Sequence, residues 1–210
     1  RDLHSFPTRR SSDLDLLGDY HDPYSFQVSA NTSRYRLRDE LLPFVLAHKD
    51  KVICLLGNHD GNYVIGEMAD RMDVFHKEDI ANYLNQMDLK LAYQEGKYLF
   101  THSGVLPAWL EYNNITLDDV LTGKISYDAL VQISPKRGGW HKCGSCIWGD
   151  VIEYAVTDKI PGLYQIFGHT QLQSEFITAD FACLDCRKAF VLDTELETLK
   201  SYEEWLNNQL

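Results

Sequence analysis

The sequence is short of positive charge, has no long apolar run, and holds too few cysteines, in an odd number, for a disulfide framework. Lys and Arg total 20 against 31 Asp and Glu over 210 residues, a formal net charge of −11. That balance argues against a general nucleic-acid or anionic-membrane binder, since both work through clustered Lys and Arg. The longest apolar run, Val52–Leu56, is strand-sized and far below the ~20 residues that cross a bilayer. Five cysteines, one of them (Cys54) inside that run, do not read as a secreted framework. With no charged-apolar-small leader at the start, a reduced, cytoplasmic protein is expected. What is present is ordinary for a globular chain: 44% hydrophobic and 24% charged residues. A chain of this length can bury its core without covalent staples.

Residues 1–14 (RDLHSFPTRRSSDL) differ in character from the rest of the chain, being polar, Arg/Ser-rich and without helix or strand period. They resemble the conceptual translation of a sequencing adapter. The expected organisation is therefore a non-native segment over residues 1–14 and a single, N-terminally truncated domain over residues 15–210. Tyr35–His48 has helical spacing, with Pro43 as a kink. Val64–Leu91 reads as one or two helices, with Asp79 capping the second. Leu106–Tyr112 and Leu117–Leu121 read as short helices, Tyr98–Thr101 and Leu163–Phe167 as strands, and Ser134–Asp150 as an irregular Gly-rich loop. Phe181–Asp193 alternates like a hairpin turning near Cys186-Arg187-Lys188. Strands alternating with helices predict an α/β sandwich.

Four apolar runs end in chemistry-bearing residues: Leu17-Gly18-Asp19-Tyr20-His21-Asp22, Leu56-Gly57-Asn58-His59-Asp60, Phe100-Thr101-His102-Ser103-Gly104 and Phe167-Gly168-His169-Thr170. Strand ends at one sheet edge converge in space, which is where α/β proteins place ligands. Carboxylate, amide oxygen and imidazole form a donor set for divalent metals. Singly, each motif is also what an ordinary turn or a hydrogen-bonded histidine looks like.

Taken together and in this order, the four blocks resemble the calcineurin-like metallophosphoesterases, in their Ser/Thr protein-phosphatase branch. The resemblance covers Gly18–Thr170, and Gly57-Asn58-His59-Asp60 is its most specific part. It implies a two-metal α/β hydrolase sandwich acting on a phosphoprotein or small phosphomonoester. Asp19 would bridge both metals (Mn, Fe or Zn), and Asn58, His102 and His169 would complete the second. The metals would activate water for in-line attack on phosphorus. His59 would protonate the leaving alkoxide, with Asp22 orienting its imidazole.

The sequence departs from that pattern twice. A DxH block should precede Gly18, separated by a helix and a strand. Asp2-Leu3-His4 has its letters but stands too close, with only Ser5–Leu17 between, so neither residue is expected to be a ligand. The first strand and DxH motif are therefore expected to be missing, leaving one metal and impaired turnover. Pro23 stands where the branch has a phosphate-binding Arg, and Arg137 is the candidate replacement. A phosphodiesterase or nucleotide hydrolase of the same fold is the alternative within the enzyme class. Outside it stands a non-catalytic interaction domain, in which Cys143, Cys146, Cys183 and Cys186, two CxxC pairs, would hold a zinc staple.

Overall fold

The computed structural model describes residues 14–21, 29–66 and 71–208. Its strands are β1 (Leu14–Leu16), β2 (Val52–Cys54), β3 (Ala92–Glu95), β4 (Tyr98–Thr101), β5 (Tyr164–Phe167), β6 (Phe176–Ile177), β7 (Phe181–Cys183), β8 (Phe190–Asp193) and β9 (Thr198–Ser201). Among the described residues, β3-β4-β5-β7-β6 form one sheet, while β1-β2 and β8-β9 form two-stranded sheets. The β1–β2, β4–β5 and β5–β7 pairings are parallel. Leu14, which the sequence groups with the segment before it, pairs with Val52 as the first residue of β1.

Period-two patterning places the core on both faces of the large sheet. Along β4, Leu99 joins Trp109, Phe167 and Tyr154 in one cluster. Tyr98 and Phe100 join Ile166, Ala182 and Leu184 in another, closed by Phe190, Leu192 and Leu199 of the β8–β9 hairpin. Gln165, buried in β5, ties the loop after β4 to the sheet by accepting from Val105 N (2.8 Å) and donating to Val105 O (3.0 Å). A polar side chain in that position is tolerated because both of its groups are satisfied.

The helices are α1 (Ala30–Arg36), α2 (Leu42–Ala47), α3 (Asn58–Val64), α4 (Lys77–Asn85), α5 (Pro107–Asn113), α6 (Leu117–Leu121), α7 (Tyr127–Leu130), α8 (Val151–Val156) and α9 (Tyr202–Asn207). The first begins where the Ser29 side chain accepts from Thr32 N. It runs into α2 through a π turn over Leu37–Leu41. Pro43 has no N–H for the preceding ladder, so the turn widens just before it.

Two expectations are corrected, and one alternative finds no support. Asp79 sits inside the first turn of α4, and the capping carboxylate is Asp73, which accepts from His76 N at the preceding 3₁₀ turn. The Phe181–Asp193 hairpin does not form: β7 pairs with β5 and β6, and β8 pairs with β9. Alternation fixes which side chains share a face but leaves the partner strand open. The cysteines do not gather either. All five are free and buried, and among the described residues the group placed to hold a metal is Asp19, His102 and His169, with no thiol in it. Cys183 Sγ instead faces Gly168 O at 3.4 Å, and Cys186 Sγ faces Glu175 Oε2 at 3.8 Å.

Candidate metal centre

Because β4, β5 and β7 run parallel, the segments after them emerge at one sheet edge, where those after β1 and β2 join them. Asp19, His59, His102, His169 and Asp185 all line a single cavity of about 530 Å³ there. The loops after β1 and β2 approach so closely that only glycine fits. A Cβ on Gly57 would stand 2.2 Å from Asp19 Oδ1, and one on Gly18 would stand 2.6 Å from Gly57 N. Asp19 (φ 60°) and His169 (φ 65°) are both held in the left-handed region, a cost of order 1–3 kcal/mol each that persists only where surroundings over-determine it.

For Asp19 those surroundings are Asp60, which is fully buried. Its Oδ2 accepts from Asp19 N (2.8 Å) and Gly57 N (3.0 Å), and its Oδ1 accepts from Tyr20 N (3.0 Å). One carboxylate thus staples the two loops together. Burial and the neighbouring Asp19 carboxylate push Asp60 upward, against the three N–H donors that favour its ionised form. The sequence shows Asp60 as a letter of a motif; its stapling role depends on contacts with residues some forty positions earlier.

His102 is oriented by donation from Nδ1 to Leu17 O (2.5 Å). In the neutral ring its Nε2 is then a lone pair. That lone pair faces Asn58 Oδ1 at 3.1 Å, His169 Nδ1 at 3.0 Å and Asp19 Oδ2 at 3.5 Å. Burial, then His102, hold His169 well below the ordinary imidazole range, which favours the neutral ring that can ligate. His169 Nε2 is buried and, among the described residues, has no hydrogen-bond partner. Carboxylate, amide oxygen and imidazole nitrogens crowded together are the donor set a divalent cation takes. The four residues fit a divalent metal.

His59 stands beside them. Its backbone N donates to Asp19 Oδ1 (3.0 Å), and its Nε2 receives Arg71 Nη2 at 2.6 Å. Asp22, Pro23, Asp2 and His4 lie outside the described residues. Arg137 is not on the cavity wall; its guanidinium contacts Asp150 Oδ2 (2.9 Å) and donates to Thr170 Oγ1 (2.6 Å). The cationic side chains on the wall are Arg36, Arg71, Arg187 and Lys188. Their meeting was not legible, because Arg36, Arg71 and the Arg187-Lys188 pair come from three separate stretches of chain without a shared motif.

Fold and donor set together describe an α/β protein with a group of side chains placed to hold a metal ion, Asp19, His102 and His169, at its parallel sheet edge. The model of the family described as calcineurin-like phosphoesterase matches residues 13–173, and the chain belongs to that family of metal-dependent phosphoester hydrolases. Among solved structures it is similar to the cold-active protein-tyrosine phosphatase of a psychrophilic Shewanella species, at 12% identity and a TM-score of 0.53 over 89% of this chain and 68% of that one. A mutant of a cold-active protein tyrosine phosphatase aligns at 14% identity with the same TM-score, over 89% of this chain and 68% of the other. These likenesses speak to the fold. No curated protein matches this chain in sequence. No helix among the described residues is long and apolar enough to cross a membrane.

Proposed function

We propose that the protein is a phosphomonoesterase of the Ser/Thr-phosphatase kind, with Asp19, Asn58, His102 and His169 holding a divalent cation and His59 as the general acid. The observation that carries this reading is the convergence of Asp19, His102 and His169 on the wall of a cavity that also presents guanidinium groups, with Asn58 Oδ1 3.1 Å from His102 Nε2. A divalent ion bound there supplies water activation and neutralisation of the phosphoryl oxygens.

The chain's own residues do the rest. Arg71 can only donate, so in the free protein it occupies the His59 Nε2 lone pair. A phosphoryl dianion is a stronger acceptor than neutral imidazole, so on substrate binding Arg71 turns to it. That frees Nε2 to carry the proton the leaving alkoxide needs, with Asp22 orienting the ring. Arg137, committed to Asp150 and Thr170, positions the loop that carries His169. A wall rich in guanidinium favours the dianion of a monoester over the monoanion of a diester.

The test, made in a chain whose residues 1–14 are replaced by a natural upstream segment carrying a DxH block, is His59→Asn on p-nitrophenyl phosphate and on phosphoserine. Metal content should stay near normal, and kcat for phosphoserine should fall by about 10²–10⁴-fold. The aryl ester, whose leaving group needs little help, should lose less. Equal losses would refute the acid role, and a preference for bis(p-nitrophenyl) phosphate would reassign the enzyme as a diesterase. Phosphotyrosine is the comparison substrate, since the structural neighbours are named tyrosine phosphatases. In the unaltered chain the expected stoichiometry is one metal per chain, unchanged by Asp2→Ala or His4→Ala, with near-background turnover. Two metals and full turnover, lost together on those changes, would make residues 1–14 part of the site.

A further inference from the structure

The cavity wall is out of keeping with the rest of the molecule. The chain carries a net charge of −11, yet among the described residues the wall holds four cationic side chains, Arg36, Arg71, Arg187 and Lys188, against the carboxylates of Asp19 and Asp185. Concave surfaces of one sign focus the field and concentrate the opposite charge. A single phosphoryl dianion is already matched by a metal cation and by Arg71, which stands at the reaction centre beside His59. The other three cations are surplus to it.

Two of those three also lack an acidic partner among the described residues. Lys188 Nζ pairs with Glu175 Oε2 at 3.0 Å. Arg36 and Arg187 have no carboxylate within ion-pair distance among the described residues, although acidic side chains outnumber basic ones by 31 to 20 in the whole sequence. Arg36 is the last residue of α1, and Arg187 follows the end of β7 in the left-handed region at φ 61°. Two unrelated elements therefore bring uncommitted guanidinium groups to one wall.

We infer that Arg36 and Arg187, with Lys188 beside them, form a second anion subsite in this cavity, so that the preferred substrate is a small molecule carrying a second phosphoryl group beside the one hydrolysed. A guanidinium takes phosphate through paired N–H donors, which suits a terminal phosphoryl group. A cavity of about 530 Å³ is the size of a small-ligand site. The inference rests on the hydrolase reading for the first phosphoryl group, but its residues are separate from the metal donors.

The experiment is calorimetric binding to the Mn-loaded and the metal-free protein, using a graded series of α,ω-alkane bisphosphonates and the monophosphonate of each length. The best-matched bisphosphonate should bind at least about tenfold more tightly than its monophosphonate, as expected of an added charge-assisted contact. Arg36→Gln with Arg187→Gln should bring that ratio close to one, and Arg36→Lys with Arg187→Lys should restore part of it. Lys142→Gln, which removes a cation elsewhere on the surface, should leave the ratio as it was. Both arginines are exposed, so these changes do not threaten the fold. A ratio near one in the parent, or a ratio indifferent to Arg36 and Arg187, overturns the subsite. If the protein takes up Mn and a monophosphonate while showing no bisphosphonate advantage, the subsite fails and the hydrolase reading stands. An Arg-dependent advantage without metal uptake has the opposite meaning, and no binding of any phosphonate overturns both.

Discussion

Replacing Asp60 by Asn tests whether the metal centre is held together by a residue that does not ligate. The substitution keeps the shape and removes one acceptor oxygen. The best orientation leaves the amide oxygen facing Asp19 N and Gly57 N and sets the amide nitrogen against Tyr20 N, now 3.0 Å from a donor. One buried N–H is stranded, at about 1–3 kcal/mol, and two charge-assisted bonds become neutral ones, at about 1 kcal/mol apiece. Relief of burying a carboxylate near Asp19 offsets part of this, so the net loss is about 2–4 kcal/mol. In a chain of this length that lowers the melting temperature by roughly 5–15 °C. Asp19 is held at φ 60° by this staple, so Mn affinity should also fall, by about 10–100-fold as for other supports of metal ligands. Thermal melts and Mn titration on Asp60→Asn measure both. A variant that melts like the parent and binds Mn equally well would show that Asp60 does not set the position of Asp19. A lower melting temperature with unchanged Mn affinity would reduce Asp60 to a structural residue.

Gly57→Ala forces a Cβ to within 2.2 Å of Asp19 Oδ1, so urea denaturation should show a loss of about 1–3 kcal/mol or more, together with loss of Mn binding; a stable Mn-binding variant would contradict the close approach. Gln165→Leu strands both polar groups of the Val105 backbone and should cost about 2–4 kcal/mol, read as a lower urea midpoint at unchanged m-value. Burial pushes the Cys146 and Cys183 thiols up to about 12, so the folded protein keeps protons that the unfolded chain releases above pH about 9. Stability should therefore fall as pH rises past that value, by about 1.4 kcal/mol per unit for each thiol, and Cys146→Ala should flatten the slope; melts that do not change between pH about 8 and about 10 would refute this.

Local patterning along the chain encodes the strand ends and the residue types of the candidate metal donors. Apolar runs stopping at Gly-Asp, Gly-Asn-His, Thr-His and Gly-His mark those ends, and period two along Tyr98–Thr101 assigns Leu99 to one core face and Tyr98 and Phe100 to the other. The candidate donors stood out for the same reason, since each sits next to its strand in sequence. Which residues meet across long separations was settled only when the chain folded. Folding turned Phe181–Cys183 toward β5 instead of into a hairpin, and it sent Arg137 to Asp150 and Thr170. It put Arg71 against His59, and made Asp60 the staple of two loops. Arg36 and Arg187 reached one wall only because α1 and the end of β7 pack around the same cavity. Strand partners and cavity walls are chosen by burial and charge summed over the whole chain, and no window of sequence contains that sum.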